Sequence, residues 1–143
     1  MSCSFKYLVA SLGLYFSAHS AVAAADTCSN STLVGSYILA ADGAKGSVST
    51  SERLAYVGMV VYDGKGNVKF TASFADGSET TLGGSYAVDP TCKGRVTYED
   101  GRTAAYFVSP SGDDLVYVLT SGSFVASHAK RVSKDQLLRL DSK

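Results

Sequence analysis

Hydrophobic and polar residues alternate with a period of two through most of the chain, most clearly between Ala55 and Phe74. That period is typical of antiparallel strands with one buried face. Within this stretch, Asp63–Asn67 reads Asp-Gly-Lys-Gly-Asn and supplies the positive φ values that tight hairpins need. The stretch therefore predicts a β-hairpin.

The same pattern recurs along the chain, with short glycine-rich turns between the segments. It predicts eight strands: Leu33–Ala41, Ala55–Tyr62, Val68–Phe74, Thr80–Val88, Gly94–Glu99, Thr103–Val108, Leu115–Thr120 and Phe124–Val132. No intervening segment is long and helical enough for a βαβ crossover. We expect an all-β domain, a single eight-stranded antiparallel up-and-down β-barrel, because closure removes exposed sheet edges. The alternative is a two-sheet β-sandwich, which would need at least one longer connection.

Residues 1–25 are predicted to be a signal peptide. Lys6 is the only charged residue before Asp26, an apolar run follows it, and Ala21-Val22-Ala23 forms a small-residue cleavage site. Cleavage near Ala25 is an equal option, and a buried N-terminal helix is the structural alternative. We therefore expect a secreted or periplasmic protein without a membrane anchor after cleavage, with a barrel over residues 26–132 and a tail over 133–143.

Charge excludes some partners. The chain has 13 Lys and Arg residues and 13 Asp and Glu residues, so loss of Lys6 with the signal peptide leaves a net charge of about −1. The charges are scattered singly, which argues against nucleic acid and anionic membranes as partners. The one basic cluster, Lys130-Arg131 with Lys134, is interpreted as a solvated strand end.

Loss of Cys3 with the signal peptide leaves Cys28 and Cys92. Two cysteines in an oxidising compartment most often pair, so we expect a structural disulfide between them. A redox pair is the alternative, but the chain has no C-x-x-C spacing. A metal site is not expected, because His128 is the only remaining histidine.

No catalytic constellation stands out, and no cofactor is predicted. Asp89, Glu99 and Asp100 fall at turns or on outward positions, whereas a pair of glycosidase carboxylates must lie inside a cleft. His128 lies near Ser127 and Ser123, but the sequence shows no acid partner or nucleophile elbow.

Several short motifs carry a family resemblance that spans Cys28 to Arg131. They are Cys28-Ser29-Asn30, Leu33-x-Gly35-x-Tyr37, Val57-Gly58, Tyr62-Asp63-Gly64-x-Gly66-Asn67, Gly84-x-Tyr86-x-Val88, Cys92-x-Gly94 and Ala129-Lys130-Arg131. The chain resembles small exported bacterial proteins with an allene-oxide-cyclase-like, lipocalin-like β-barrel. Tyr62 stands where that group usually has phenylalanine, and the two cysteines stand where its pair would form a bridge. Nothing matches the catalytic residues of the plant cyclases, so the resemblance does not imply their activity.

Five tyrosines fall on inward-facing positions of the predicted strands: Tyr37, Tyr56, Tyr62, Tyr86 and Tyr98. They alternate with small residues, which suits a lumen that binds a small apolar or aromatic ligand. The alternative is that the rings themselves fill the barrel. A third hypothesis is an interaction or inhibitor module that acts through the predicted loop Asp42–Ser51. The sequence does not decide the oligomeric state.

Overall fold

The computed structural model describes residues 27–45, 52–121 and 123–138. It contains eight strands: β1 Val34–Lys45, β2 Glu52–Asp63, β3 Asn67–Phe74, β4 Glu79–Val88, β5 Lys93–Tyr98, β6 Thr103–Val108, β7 Asp114–Leu119 and β8 Ser123–Ser133. Each strand pairs antiparallel with the next, and β8 pairs with β1 to close the barrel. The predicted up-and-down barrel is confirmed. The predicted signal peptide and the last five residues of the tail lie outside the described residues.

The loop predicted at Asp42–Ser51 is wrong in its first part. Residues 42–45 continue β1, where Gly43 pairs with Leu54 of β2 and with Val125 of β8. Pairing on both sides overrides the low strand propensity of this glycine-rich segment. A Cβ at Gly43 would lie 2.1 Å from the carbonyl oxygen of Phe124, so the close approach of β8 requires glycine there. Residues 46–51 lie outside the described part of the chain.

The hydrophobic and polar residues that alternate along each strand form the inner and outer surfaces of the barrel wall. Inward-facing side chains form one continuous core that includes Leu39, Val60, Val96, Leu115 and Val125. Neighbouring residues on the same strands face outward. Burial of these apolar side chains, at about 25 cal/mol per Å² of surface, is the main force holding the barrel together.

The N-terminal segment closes one end of the barrel, which we call the closed end. A single 3₁₀ turn, Asn30–Thr32, precedes Leu33, which is fully buried there. A disulfide links Cys28 to Cys92, with Cα atoms 4.9 Å apart, and so ties this segment to the turn before β5. None of the helical structure in the described residues is long enough to cross a membrane.

The opposite end of the barrel is called the mouth. It is bordered by the β3–β4 and β5–β6 connections, together with the beginning of β2 and of β8. No described segment covers it in the way that residues 27–33 cover the closed end.

Candidate functional site

All five predicted tyrosines lie inside the barrel. Tyr37, Tyr56, Tyr62 and Tyr86 are buried, and Tyr98 is partly buried against the same core. The ring of Tyr62 is central, because it packs edge-on against Tyr37 at 5.5 Å and against Tyr86 at 4.9 Å between centroids. Such edge-to-face pairs contribute about 1 kcal/mol beyond their buried area.

Sequence reasoning missed two further tyrosines of the interior. Tyr106 of β6 is buried, and Tyr117 of β7 packs against the core. The sequence pattern could have shown this for Tyr106, because Ala104, Tyr106 and Val108 occupy every second position and so share one face of their strand. With them, every tyrosine in the described residues faces the lumen.

These rings occupy the lumen almost completely. The cavity among Leu39, Val60, Tyr62, Val96 and their neighbours Tyr98, Ala104, Tyr106 and Tyr117 measures about 10 Å³. A single water needs about that volume of accessible space, and a drug-sized ligand needs ~300 Å³ or more. As packed, this part of the lumen has no room for an organic ligand.

The inward-facing glycines do not leave space. A Cβ at Gly94 would lie 2.1 Å from the ring of Tyr106, so that ring rests directly on the glycine backbone. A Cβ at Gly58 would lie 2.7 Å from the carbonyl oxygen of Thr71 and 3.2 Å from the Phe70 ring. These glycines permit close packing of rings and strands, which is why the lumen is filled.

Several of the tyrosine hydroxyls are hydrogen-bonded within the protein, near both ends of the barrel. Near the closed end, Tyr37 donates to the carbonyl oxygen of Gly112 at 2.6 Å, and Tyr86 donates to that of Leu33 at 2.9 Å. Near the mouth, the hydroxyls of Tyr56 and Tyr117 lie 3.0 Å apart. No buried side-chain nitrogen or oxygen lacks a partner in the described part of the chain.

Burial changes the acidity of these rings. It raises the pKa of Tyr37 to about 12, with the Arg131 guanidinium acting in the opposite direction. Burial likewise raises the pKa of Tyr56, and it raises that of Tyr62 well above the ordinary value. The interior rings are therefore neutral near pH 7 and act as hydrogen-bond donors and acceptors rather than as bases.

A larger cavity, of about 530 Å³, lies at the mouth. One side of it is lined by Leu54 and Ala55 of β2 and Phe74 of β3, and other sides are lined by Arg102 and Ser123. Phe74 packs on Tyr56 with ring centroids 5.2 Å apart, so this cavity lies next to the tyrosine-filled lumen. Its volume is within the range of small-molecule sites.

Polar groups surround this apolar wall. Arg102 donates through Nε to the Asp100 carboxylate at 2.6 Å, which orients its guanidinium. Partial burial raises the pKa of Asp100, but hydrogen bonds from the Arg102 backbone amide and side chain outweigh it and lower that pKa. Glu52, Asp76 and Glu79 also line the cavity. Most of the residues that line the cavity are therefore polar, and the apolar wall is one part of it, with charged groups of both signs beside it.

Arg131 was interpreted as part of a solvated strand end, and that interpretation is wrong. Its side chain is only 8% exposed and pairs with Asp113. Its guanidinium also donates to the carbonyl oxygens of Ser111, at 2.8 Å, and Val34, at 3.3 Å. Arg131 therefore joins the β6–β7 turn to the start of β1 and helps to seal the closed end.

The residues considered for catalysis are not brought together. Asp89 lies in the turn before β5, whereas Glu99 and Asp100 follow that strand at the mouth. His128 does have an acidic neighbour, since its Nε2 lies 3.1 Å from the Asp114 carboxylate, a pair that strand alternation alone does not predict. The pair is exposed on the outside, and Ser127 instead donates to the carbonyl oxygen of Ala40. Among the described residues, no three His, Cys, Asp or Glu side chains form a metal-binding group.

Comparison with known proteins assigns no family: no family model matches the chain, and no curated protein matches it significantly. The resemblance to allene-oxide-cyclase-like barrels stays a prediction.

Proposed function

We propose that this protein is an exported β-barrel that binds a small, largely apolar or aromatic ligand at its mouth. The observation that carries the proposal is the contrast between two cavities of one barrel. In the lumen the rings leave a cavity of only about 10 Å³, whereas the cavity at the adjacent mouth measures about 530 Å³.

The chemistry of the mouth supports this ligand class. Leu54, Ala55 and Phe74 give an apolar wall on which an aromatic ligand can pack. Phe74 packs against the ring of Tyr56, and the Tyr56 hydroxyl is hydrogen-bonded to that of Tyr117. The apolar wall is therefore preorganised. Arg102 and the acidic side chains can orient a polar group of the ligand. The tyrosines that were predicted to line the ligand then support the site indirectly, because they pack beneath the residues that line the mouth.

Export is part of the proposal. The Cys28–Cys92 disulfide is compatible with an oxidising compartment, and the first 25 residues have the pattern of a signal peptide. The alternative function, an interaction module acting through the β1–β2 loop, depends on residues 46–51, which lie outside the described residues.

Binding of N-phenylnaphthylamine, a neutral fluorescent aromatic probe, tests the proposal. The purified protein is titrated with the probe, and the titration is repeated with Phe74→Ala and with Phe107→Ala. Phe107 is the matched control, since it is an aromatic residue on the outer surface of β6 and is 56% exposed. Each variant is first checked for an unchanged circular dichroism spectrum.

The proposal predicts saturable binding that Phe74→Ala weakens about ten-fold or more, with little change in Phe107→Ala. A ten-fold loss of affinity corresponds to about 1.4 kcal/mol of binding free energy, which is the size expected for loss of an aromatic contact. Absence of saturable binding, or equal weakening in both variants, would contradict a site at the mouth.

A further inference from the structure

The guanidinium group of Arg102 is bound on one side only. Its Nε donates to the Asp100 carboxylate at 2.6 Å, and Asp100 is fixed in turn, because it accepts a hydrogen bond from the Arg102 backbone amide at 3.0 Å. The terminal nitrogens of the guanidinium have no hydrogen-bond partner among the described residues. Since no buried side-chain nitrogen in that part of the chain lacks a partner, these nitrogens reach the surface. They are oriented donors that meet no acceptor of the protein.

The cavity at the mouth is where these donors lie. Arg102 lines it together with Leu54 and Phe74 of the apolar wall. The side chain of Arg102 is 32% exposed, whereas that of Arg53, the other arginine of the lining, is 83% exposed and pairs with Asp42. Leu54 is an inward position of β2, so the neighbouring Arg53 faces outward. Arg102 is therefore the arginine that a ligand in the cavity meets.

Two tyrosine hydroxyls lie near the Arg102 guanidinium. Tyr98 and Arg102 flank the β5–β6 turn, where the Tyr98 amide donates to the Arg102 carbonyl oxygen at 2.9 Å. Burial raises the pKa of both Tyr98 and Tyr56, and the charge of Arg102 acts against that rise in each case. The Tyr56 hydroxyl is bonded to Tyr117, whereas the Tyr98 hydroxyl has no hydrogen-bond partner among the described residues. The Tyr98 hydroxyl is thus a second polar group beside Arg102 that can bond to a ligand.

The charges around the cavity disfavour an anionic ligand. Each of the two arginines in the lining has a carboxylate partner of its own. The lining also contains three acidic residues: Glu52, Asp76 and Glu79. Among the described residues at the mouth, carboxylates therefore outnumber guanidinium groups, and a further negative charge would be repelled. The three acidic residues are exposed, so solvent screens them and they do not fix the orientation of a ligand as Arg102 can.

We infer that Arg102 selects ligands that carry an uncharged carbonyl oxygen, such as aromatic ketones and amides. This inference rests on the ligand site proposed at the mouth and adds a polar group to the ligand. The carbonyl oxygen accepts hydrogen bonds from the terminal nitrogens of Arg102, with the Tyr98 hydroxyl as a further donor. A charged donor makes such a bond about twice as strong as a neutral one. An uncharged oxygen gains this bond without bringing a negative charge to the acidic lining.

The two kinds of contact together define how a ligand would lie. Its rings pack on Leu54 and Phe74, and its oxygen points to Arg102. Pockets for small molecules commonly combine an apolar wall with a few convergent polar groups, which fix orientation and provide specificity. A cavity of about 530 Å³ has room for a two-ring compound with a short side group.

Fluorescence titration with three naphthalenes tests the inference. All three share the ring system and a dimethylamino group: dimethylaminonaphthalene has no oxygen, prodan adds a ketone, and dimethylaminonaphthoate adds a carboxylate. The titrations are repeated with Arg102→Met and with Arg95→Met. Arg95 is the matched control, because it is an exposed arginine on the outer surface of β5 that does not line the mouth. Circular dichroism checks that each variant is folded.

The expected result is that prodan binds about ten-fold tighter than dimethylaminonaphthalene to the unsubstituted protein and to Arg95→Met. In Arg102→Met the two affinities should become nearly equal. The naphthoate should bind more weakly than prodan. Equal affinities in the unsubstituted protein would overturn the inference, and so would a preference for the ketone that Arg102→Met retains. Tightest binding of the naphthoate would show that Arg102 selects an anion and would also overturn it.

The same titrations separate this inference from the proposed function. Binding of dimethylaminonaphthalene that Phe74→Ala weakens, without any preference for the ketone, would leave the site at the mouth standing and would overturn only the role of Arg102. Failure of all three compounds to bind would overturn both. The comparison of the three compounds on the unsubstituted protein decides the question even if Arg102→Met does not fold.

Discussion

The hydroxyl groups of Tyr56 and Tyr117 lie 3.0 Å apart where the lumen meets the mouth, and they join β2 to β7. Burial raises the pKa of Tyr117, as it does that of Tyr56, so both hydroxyls stay protonated near pH 7. The bond between them therefore joins two neutral groups.

Replacing either tyrosine by phenylalanine should remove this bond. Tyr56→Phe and Tyr117→Phe should each lower the free energy of unfolding by about 1 kcal/mol, because each variant loses the same hydrogen bond. Denaturant unfolding of both variants and of the double variant measures the coupling, expected at about 1 kcal/mol. Strict additivity of the two single effects would show that the bond contributes nothing.

Alkaline pH should unfold the barrel as its tyrosines ionise. Burial raises the pKa of the interior rings above the unfolded value of about 10, and that of Tyr37 to about 12. Because the charged form is the one disfavoured by folding, this contribution to stability is fully present below pH 10. It is lost as pH rises through the folded values.

A pH titration that follows tyrosinate absorbance and circular dichroism together tests this behaviour. The two signals should change in one cooperative step above pH 10. Ionisation of most tyrosines near pH 10, with the β signal intact, would show that the rings are solvated rather than packed.

Arg131 should be far more important for stability than its neighbour Lys130. Arg131→Met removes a nearly buried guanidinium that binds Asp113 and the carbonyl oxygens of Ser111 and Val34. We expect a loss of about 3 kcal/mol in the free energy of unfolding. Lys130→Met, on an exposed position of the same strand, should change it by less than ~0.5 kcal/mol. Equal effects in urea unfolding would contradict the role given to Arg131 at the closed end.

The disulfide should stabilise the barrel by closing a long loop. Cys28 and Cys92 are separated by 64 residues, and a loop of that length corresponds to about 4 kcal/mol in the chain-entropy description. The double variant Cys28→Ser and Cys92→Ser should lose most of that amount in urea unfolding. The unsubstituted protein with reductant is its control and should behave alike. A loss under ~1 kcal/mol in both would show that the bridge adds little.

The architecture could be predicted from the sequence because its signal is local. Alternation with a period of two and turns such as Asp63–Asn67 specify hairpins, and eight consecutive hairpin-linked strands close most simply into a barrel. The prediction failed at residues 42–45, where the deciding contacts come from β8, about eighty residues later in the chain. Composition alone carries no information about such pairing.

The site was harder to predict, because it depends on volume and on distant partners. The inward positions of Tyr37 and Tyr62 follow from strand parity, but whether their rings fill the lumen depends on packing across it. The placement of Arg131 depends on the β6–β7 turn, and that of His128 on Asp114 of the adjacent strand. A sequence pattern places a residue on one side of a strand, and it does not show what the side chain meets there.

Mapping a bound ligand onto the protein tests the central claim most directly. Amide and side-chain chemical shifts are followed by nuclear magnetic resonance as N-phenylnaphthylamine is added. The account predicts that the largest changes, and contacts between probe and protein protons, fall on Leu54, Phe74 and Thr80 at the mouth. Contacts with Tyr62 and Val96 deep in the lumen, or no localised changes at all, would contradict it.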